Sequence, residues 1–240
     1  MMRVLALDAA TEVCSAALLC DGDVLGRSSE AGKDHARQLL AMVAELMAVG
    51  QVSWSMLDGI AASIGPGAFT GVRISVSVAQ GLAFGAGLPV APVTTLEALA
   101  LQVLKGASDR AIACLDARMG EVYWGCFAAD AACGLRALGA HLVGPPDSVT
   151  LDAVIGPAGD RPGAAAVRGV GRGFSAYPNL AARLRVQMDA ADRLALPNAS
   201  EIARLGALRL KSGGAVDPAE LQPLYLRDKV ALTEAERAAR

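Results

Sequence analysis

Two aspartates close apolar strands in this chain of 240 residues: Arg3-Val-Leu-Ala-Leu-Asp8 runs on into Ala9-Ala10-Thr11, and Arg110-Ala-Ile-Ala-Cys-Leu-Asp116 into Ala117. Strand-ending carboxylates with a hydroxyl close by are groups that can hold Mg²⁺ and phosphate. Asp8, Thr11 and Asp116 are therefore candidate ligands, and one reading is an independent ATP-dependent phosphotransferase or ATPase that uses Asp8 and Asp116 with Mg²⁺. The run Gly65-Pro-Gly-Ala-Phe-Thr-Gly-Val-Arg73 could hold an anion, since glycines allow close backbone approach and a helix N-terminus follows. It lacks the Gly-Lys-Ser/Thr ending of a P-loop. A tight turn through Pro66, with Thr70 capping the next helix, accounts for the same residues without a ligand. Gly171-Arg-Gly173 is either a leftover adenosine loop or an ordinary strand-to-helix turn.

Other reactive side chains are sparse. The two histidines, His35 and His141, read as surface or capping groups. Five cysteines at 14, 20, 114, 126 and 133 form no CxxC pair and have no histidine at zinc spacing, so reduced structural thiols and no metal of its own are expected. Nothing in the order of Ser, Cys, His and Asp suggests a peptidase set.

The elements that would position these residues follow from their spacing. Strands over 3–8, 15–20 and past the Asp21-Gly22-Asp23 turn, a helix over His35–Val49 between Asp34 and Gly50, a strand at 59–63, a helix at 71–85 and a strand at 88–93 give the order βββαβαβ. That is the order of a mixed sheet of the ribonuclease H kind. The Arg-strand-Asp-Ala opening recurs at Arg110–Ala117, and a second strand follows at 121–127, so the chain reads as two copies of one lobe. Such pairing resembles the architecture of actin, sugar kinases and the heat-shock chaperone ATPases, so the expected fold class is α/β, two ribonuclease H-like lobes of the actin-like ATPase superfamily, each a mixed sheet flanked by helices. The expected division is 1–105, 106–232 for a divergent second lobe, and a charged tail at 233–240. The stretch Ile74–Leu96 is uncharged, but Gly81, Gly85, Gly87, Pro89 and Pro92 cut it into helix, turn and strand rather than a membrane span. No signal peptide is visible, because Asp8 breaks the first apolar run, so a cytoplasmic protein is expected.

Hydrophobic residues make up 53% and charged residues 19%, with a formal net charge of −2. Such a chain has apolar surface to spare for a partner and no basic field for phosphate backbones. The partner surface is expected on the first two helices. Gly71, Ser75, Ala79 and Ala83 recur every fourth residue as a smooth face, and Leu39, Met42, Val43 and Leu46 belong to an apolar arc wider than one sheet contact needs. On this reading Ala79→Arg should spare the fold and weaken pairing.

The loop Gly65–Arg73 closely resembles the hallmark of the family of the tRNA threonylcarbamoyladenosine biosynthesis protein TsaB, also called YeaZ. The resemblance extends to Asp8-Ala-Ala-Thr11, Gln80–Gly85, Asp116–Tyr123 and Leu224-Tyr-Leu-Arg227, and is weak from about 144 to 200. It implies a non-catalytic scaffold or activator subunit of the complex that forms threonylcarbamoyladenosine beside the anticodon in tRNAs reading codons that start with A. It implies pairing with the catalytic paralogue TsaD, joined by the ATPase subunit TsaE, a homodimer in isolation, and contact with tRNA only through the complex. Where the paralogue family carries a metal-binding His-Met-Glu-Gly-His run after its fifth strand, this chain reads Thr95-Leu-Glu-Ala-Leu99. ATP and a metal are accordingly expected on partner subunits, with Asp8, Thr11, Asp116, Gly171 and Gly173 a vestigial nucleotide cleft.

Overall fold

A computed structural model describes residues 2–30, 34–152 and 167–227. The first sheet is built from β1 (Arg3–Asp8), β2 (Val13–Cys20), β3 (Asp23–Glu30), β4 (Gly59–Ser63) and β5 (Val90–Val93), in the order β3-β2-β1-β4-β5. β1 runs antiparallel to β2 and parallel to β4. The β2–β3 hairpin turns on Asp21 and Gly22, both at positive φ, as a two-residue Asp-Gly turn requires. Central β1 is apolar on both faces: Val4 and Ala6 join one core, Leu5 and Leu7 another. A strand covered on both sides reads as a continuous apolar run, whereas edge strand β3 is largely exposed.

The second sheet repeats the plan with β6 (Arg110–Arg118), β7 (Glu121–Asp130), β8 (Gly134–Ala137) and β10 (Arg168–Val170) in the order β10-β6-β7-β8, and β9 (Leu142–Gly144) also pairs with β7. Its helices are α4 (Gly173–Ala176), α5 (Asn179–Leu184) and α6 (Ala190–Leu194). β6 alternates as β1 does, with Ala111, Ala113 and Leu115 in the middle core and Ile112 and Cys114 in the outer one.

The layers follow from these cores. Helices α1 (His35–Val49) and α2 (Phe69–Ala86) cover the outer face of the first sheet. Between the two sheets lie α3 (Thr95–Val103) and α7 (Ala199–Ser212), whose Leu96, Leu99, Ile202 and Leu205 share one core with both. α4 and α5 cover the far face of the second sheet. This stack, with its repeated strand-ending aspartates, is the actin-like pair of ribonuclease H-like lobes.

Three expectations need correction. Leu39, Val43, Leu46, Gly71, Ser75, Ala79 and Ala83 are buried within the first lobe, and Met42 is half-buried; the chain's own sheet covers the small-residue face. The reason is close approach: a Cβ on Gly71 would lie 2.0 Å from the Ala9 carbonyl oxygen, and Ser75 bonds Ser63 Oγ at 3.0 Å inside the core. The division near residue 105 does not hold for packing, because α7 returns to the first lobe. Gly206 abuts Ala61, and the Ala199 amide donates to Ser15 Oγ at 2.9 Å. Finally, Thr70 does not cap α2, which starts at Phe69 behind an N-cap at Ala68.

The 74–96 stretch is the end of α2, a turn, β5 and the start of α3. Among the described residues no helix is long and apolar enough to cross a membrane. All five cysteines are free, with Cys133 exposed. The expected tail at 233–240 lies outside the described residues.

Candidate functional site

Between the lobes is a cleft of about 290 Å³ lined by Thr11, Glu12, His35, Asp116, Arg118 and Arg172, with Tyr123 on one wall. Thr11 and Asp116 thus meet where the sequence placed them. Asp8 does not reach the lining. It is fully buried, with Oδ1 accepting from Ser63 Oγ and from the Ala10 amide at 3.1 Å, while Oδ2 meets no hydrogen-bond donor among the described residues. Burial pushes its carboxyl up to about 6, against hydrogen bonds from Ser63, Ala10 and Ala9 that favour the charged form. Asp116 accepts from the Arg118 amide at 2.8 Å and lies 3.5 Å from its guanidinium. Arg118 also reaches Glu12 at 3.3 Å, and Arg172 approaches the same carboxylate at 3.9 Å. The cleft rim is therefore a mutually neutralised cluster of two acids and two arginines.

The glycines of the candidate anion loops serve packing. A Cβ on Gly67 would sit 2.2 Å from the Ala10 carbonyl oxygen, and the Ala68 amide donates to that oxygen at 2.8 Å. Gly171, at φ 109, and Gly173 press against Cys114 of β6, where a Cβ would come within 2.3 Å and 2.4 Å. Both lie buried behind the cleft, and only Arg172 between them reaches its lining.

The positions that the sequence resemblance set against a metal-binding pair are equally committed. Thr95 Oγ1 donates to the Pro66 carbonyl at 2.5 Å, and Leu99 is wholly inside the middle core. Glu97 closes a capping box with Thr94 and takes the Arg209 guanidinium at 2.5 Å, tying α3 to α7. Among the described residues no three His, Cys, Asp or Glu side chains are grouped to hold a metal ion. His35 lines the cleft, its Nδ1 buried and without a hydrogen-bond partner among the described residues, and His141 packs its ring against Phe127 at 5.5 Å.

Of the groups that face outward, the sequence reading took in Leu40 as part of the α1 arc and missed the others. On α1 and α2 the free apolar surface is Leu40, Val49, Phe69 and Phe84, the last 82% exposed. A shallow groove between the helices is lined by Ala36, Phe69, Ile74 and Val78. Arg73 stacks on Phe69 at 3.8 Å, and its Nε donates to the Tyr225 hydroxyl at 2.8 Å. The signal was present in the unbroken apolar character of α2, which leaves large residues on the side the sheet does not take.

Comparison with known proteins matches residues 28–235 to the family model described as TsaD, tRNA N6-adenosine threonylcarbamoyltransferase. The chain is 34% identical over 235 residues to the tRNA threonylcarbamoyladenosine biosynthesis protein TsaB of Escherichia coli, covering 96% of each. A solved Pseudomonas aeruginosa protein, described as similar to the peptidase YEAZ, superposes with a TM-score of 0.82 at 38% identity, over 95% of this chain and all of that one. YeaZ from Pseudomonas aeruginosa gives 0.79 at 37%, over 94% of this chain and all of that one.

Proposed function

Because the chain belongs to the family of the tRNA threonylcarbamoyladenosine biosynthesis protein TsaB, or YeaZ, we propose that within this pathway it acts as a non-catalytic scaffold or activator subunit in the cytoplasm. It pairs with the catalytic paralogue TsaD, works beside the ATPase subunit TsaE, self-pairs when the paralogue is absent, and meets tRNA only through the assembly. The observation that carries this reading is the use already made of the two candidate carboxylates and of the run Thr95–Leu99. Asp8 is sealed beneath the cleft, Asp116 is engaged by Arg118, and Thr95, Glu97 and Leu99 are committed to hydrogen bonds and core.

ATP and the metal then belong to the partner subunits. A carboxylate shut away from solvent cannot exchange its ligands for a hydrated Mg²⁺ without opening the sheet. The surface left for a partner is the outer side of α1 and α2, where Leu40, Phe69 and Phe84 stand exposed. Large apolar residues left exposed on two adjacent helices are surface that a partner can cover.

The experiment is sedimentation of the chain alone and mixed with TsaD, for the wild type and Phe84→Asp. The reading expects wild-type pairing and at least tenfold weaker pairing for the variant, with unchanged circular dichroism. Equal affinity for both would remove this face from the interface. Calorimetry with Mg-ATP on the isolated chain separates the alternative of an independent ATPase, which requires stoichiometric binding.

A further inference from the structure

Beyond the core that α3 and α7 share with both sheets, the described residues join the lobes at the cleft in two places, by unequal means. On one rim Glu12 of the first lobe meets Arg118 and Arg172 of the second at 3.3 Å and 3.9 Å, but these side chains are 51%, 74% and 42% exposed. Exposed pairs of this kind contribute little and are screened by salt.

The second connection is the chain that follows α7. After Gly213 reverses direction at φ 77, Val216 bridges the edge of β5 at Val90, and Gln80 of α2 donates to the carbonyls of Pro218 and Leu221 at 3.0 Å and 3.1 Å. The Leu224 amide donates to the Ile64 carbonyl at 2.7 Å, and Tyr225 takes Arg73. To this point the arm belongs to the first lobe. Two residues later Arg227 crosses to the second: its guanidinium donates to the Ala117 carbonyl at 3.1 Å and to the Glu121 carboxylate, with its Cζ 6.0 Å from the centre of the Tyr123 ring. Its side chain is only 18% exposed. A planar guanidinium satisfied by a carbonyl, a carboxylate and an aromatic face is held far more firmly than an exposed ion pair.

We infer that the arm 214–227 is a brace that sets the angle between the lobes, with Arg227 as its anchoring residue on the second lobe. α3 and α7 supply the shared core about which a hinge could move; the brace spans that hinge and holds the cleft at one width. Arg227 is a positioning residue. The inference does not depend on which partner the protein has.

The test is a distance distribution measured by pulsed electron resonance between spin-labelled unnatural amino acids at Arg37 on α1 and Arg136 on β8, with labelled chains diluted in unlabelled ones. The wild type and Glu12→Gln should give one narrow distance. Arg227→Ala should at least double its width or shift it, and Glu121→Gln should move it the same way by less. A broad wild-type distribution, a narrow unshifted one for Arg227→Ala, or widening by Glu12→Gln alone would each overturn the inference. If Arg227→Ala fails to fold, Glu121→Gln decides it: a wild-type distribution in that variant counts against the brace.

Discussion

Asp8 holds a carboxylate away from water, with one oxygen unmet among the described residues, and the sign of its effect on stability follows. Its pKa in the folded chain, about 6, lies above the ordinary 3.8, so the folded state binds that proton more tightly than the unfolded one does. Stability from this group is full below pH ~4, declines as pH rises through about 6 and is lost above it. A shift of about two units corresponds to roughly 3 kcal/mol. Asp8→Asn should therefore gain on the wild type by up to about that amount between pH 4.5 and pH 8, as read from denaturant unfolding. A difference that does not change with pH would show that folding does not raise the Asp8 pKa. Leu99 makes the complementary point, since it sits in the middle core with no exposure. Placing histidines at 95 and 99 should cost about 2–5 kcal/mol through the buried imidazole and the lost leucine packing, measured as a lower denaturation midpoint. The sequence marked Asp8, Thr11 and Asp116 by type and position, but only coordinates separate a carboxylate in a cleft from one beneath it. The spacing of Asp8 to Thr11 is the same in either case.

At the scale of elements, strand and helix positions were legible because their signals are local. β4 lies at Gly59–Ser63 and α1 at His35–Val49, as read from the sequence. The Asp-Gly turn, the apolar period and the closing glycines carried those assignments. Which surface covers an apolar helix face is not local information. Gly71, Ser75, Ala79 and Ala83 were read as a partner face, and their smallness instead lets α2 sit close on its own sheet, with Gly71 against the Ala9 carbonyl. Both uses need small residues every fourth position. Ala79→Arg should consequently unfold the first lobe, because a guanidinium at a position with no exposure has neither room nor partner, and a loss above about 3 kcal/mol is expected. Thermal unfolding of Ala79→Arg beside Phe84→Asp checks this. A native melting temperature for Ala79→Arg would put α2 in the wrong orientation.

For the whole molecule, the repeat of strand, aspartate and alanine was enough to read two lobes, and the Gly65–Arg73 loop carried the family. The return of α7 to the first sheet and the crossing by Arg227 were not legible. Nothing in a helix of mixed polarity names the sheet it will cover after a hundred residues of intervening chain. The outcome is a molecule whose cleft rim carries paired charges and whose α1 and α2 leave Leu40, Val49, Phe69 and Phe84 exposed. On the proposed reading the protein acts through what it holds in place rather than through a reaction of its own. The direct measurement is reconstituted threonylcarbamoyl transfer to tRNA with TsaD and TsaE, with and without this chain. The account predicts that turnover requires the chain and that the chain alone, given all substrates, yields no modified tRNA. Full turnover in its absence, or turnover by it alone, would contradict the account.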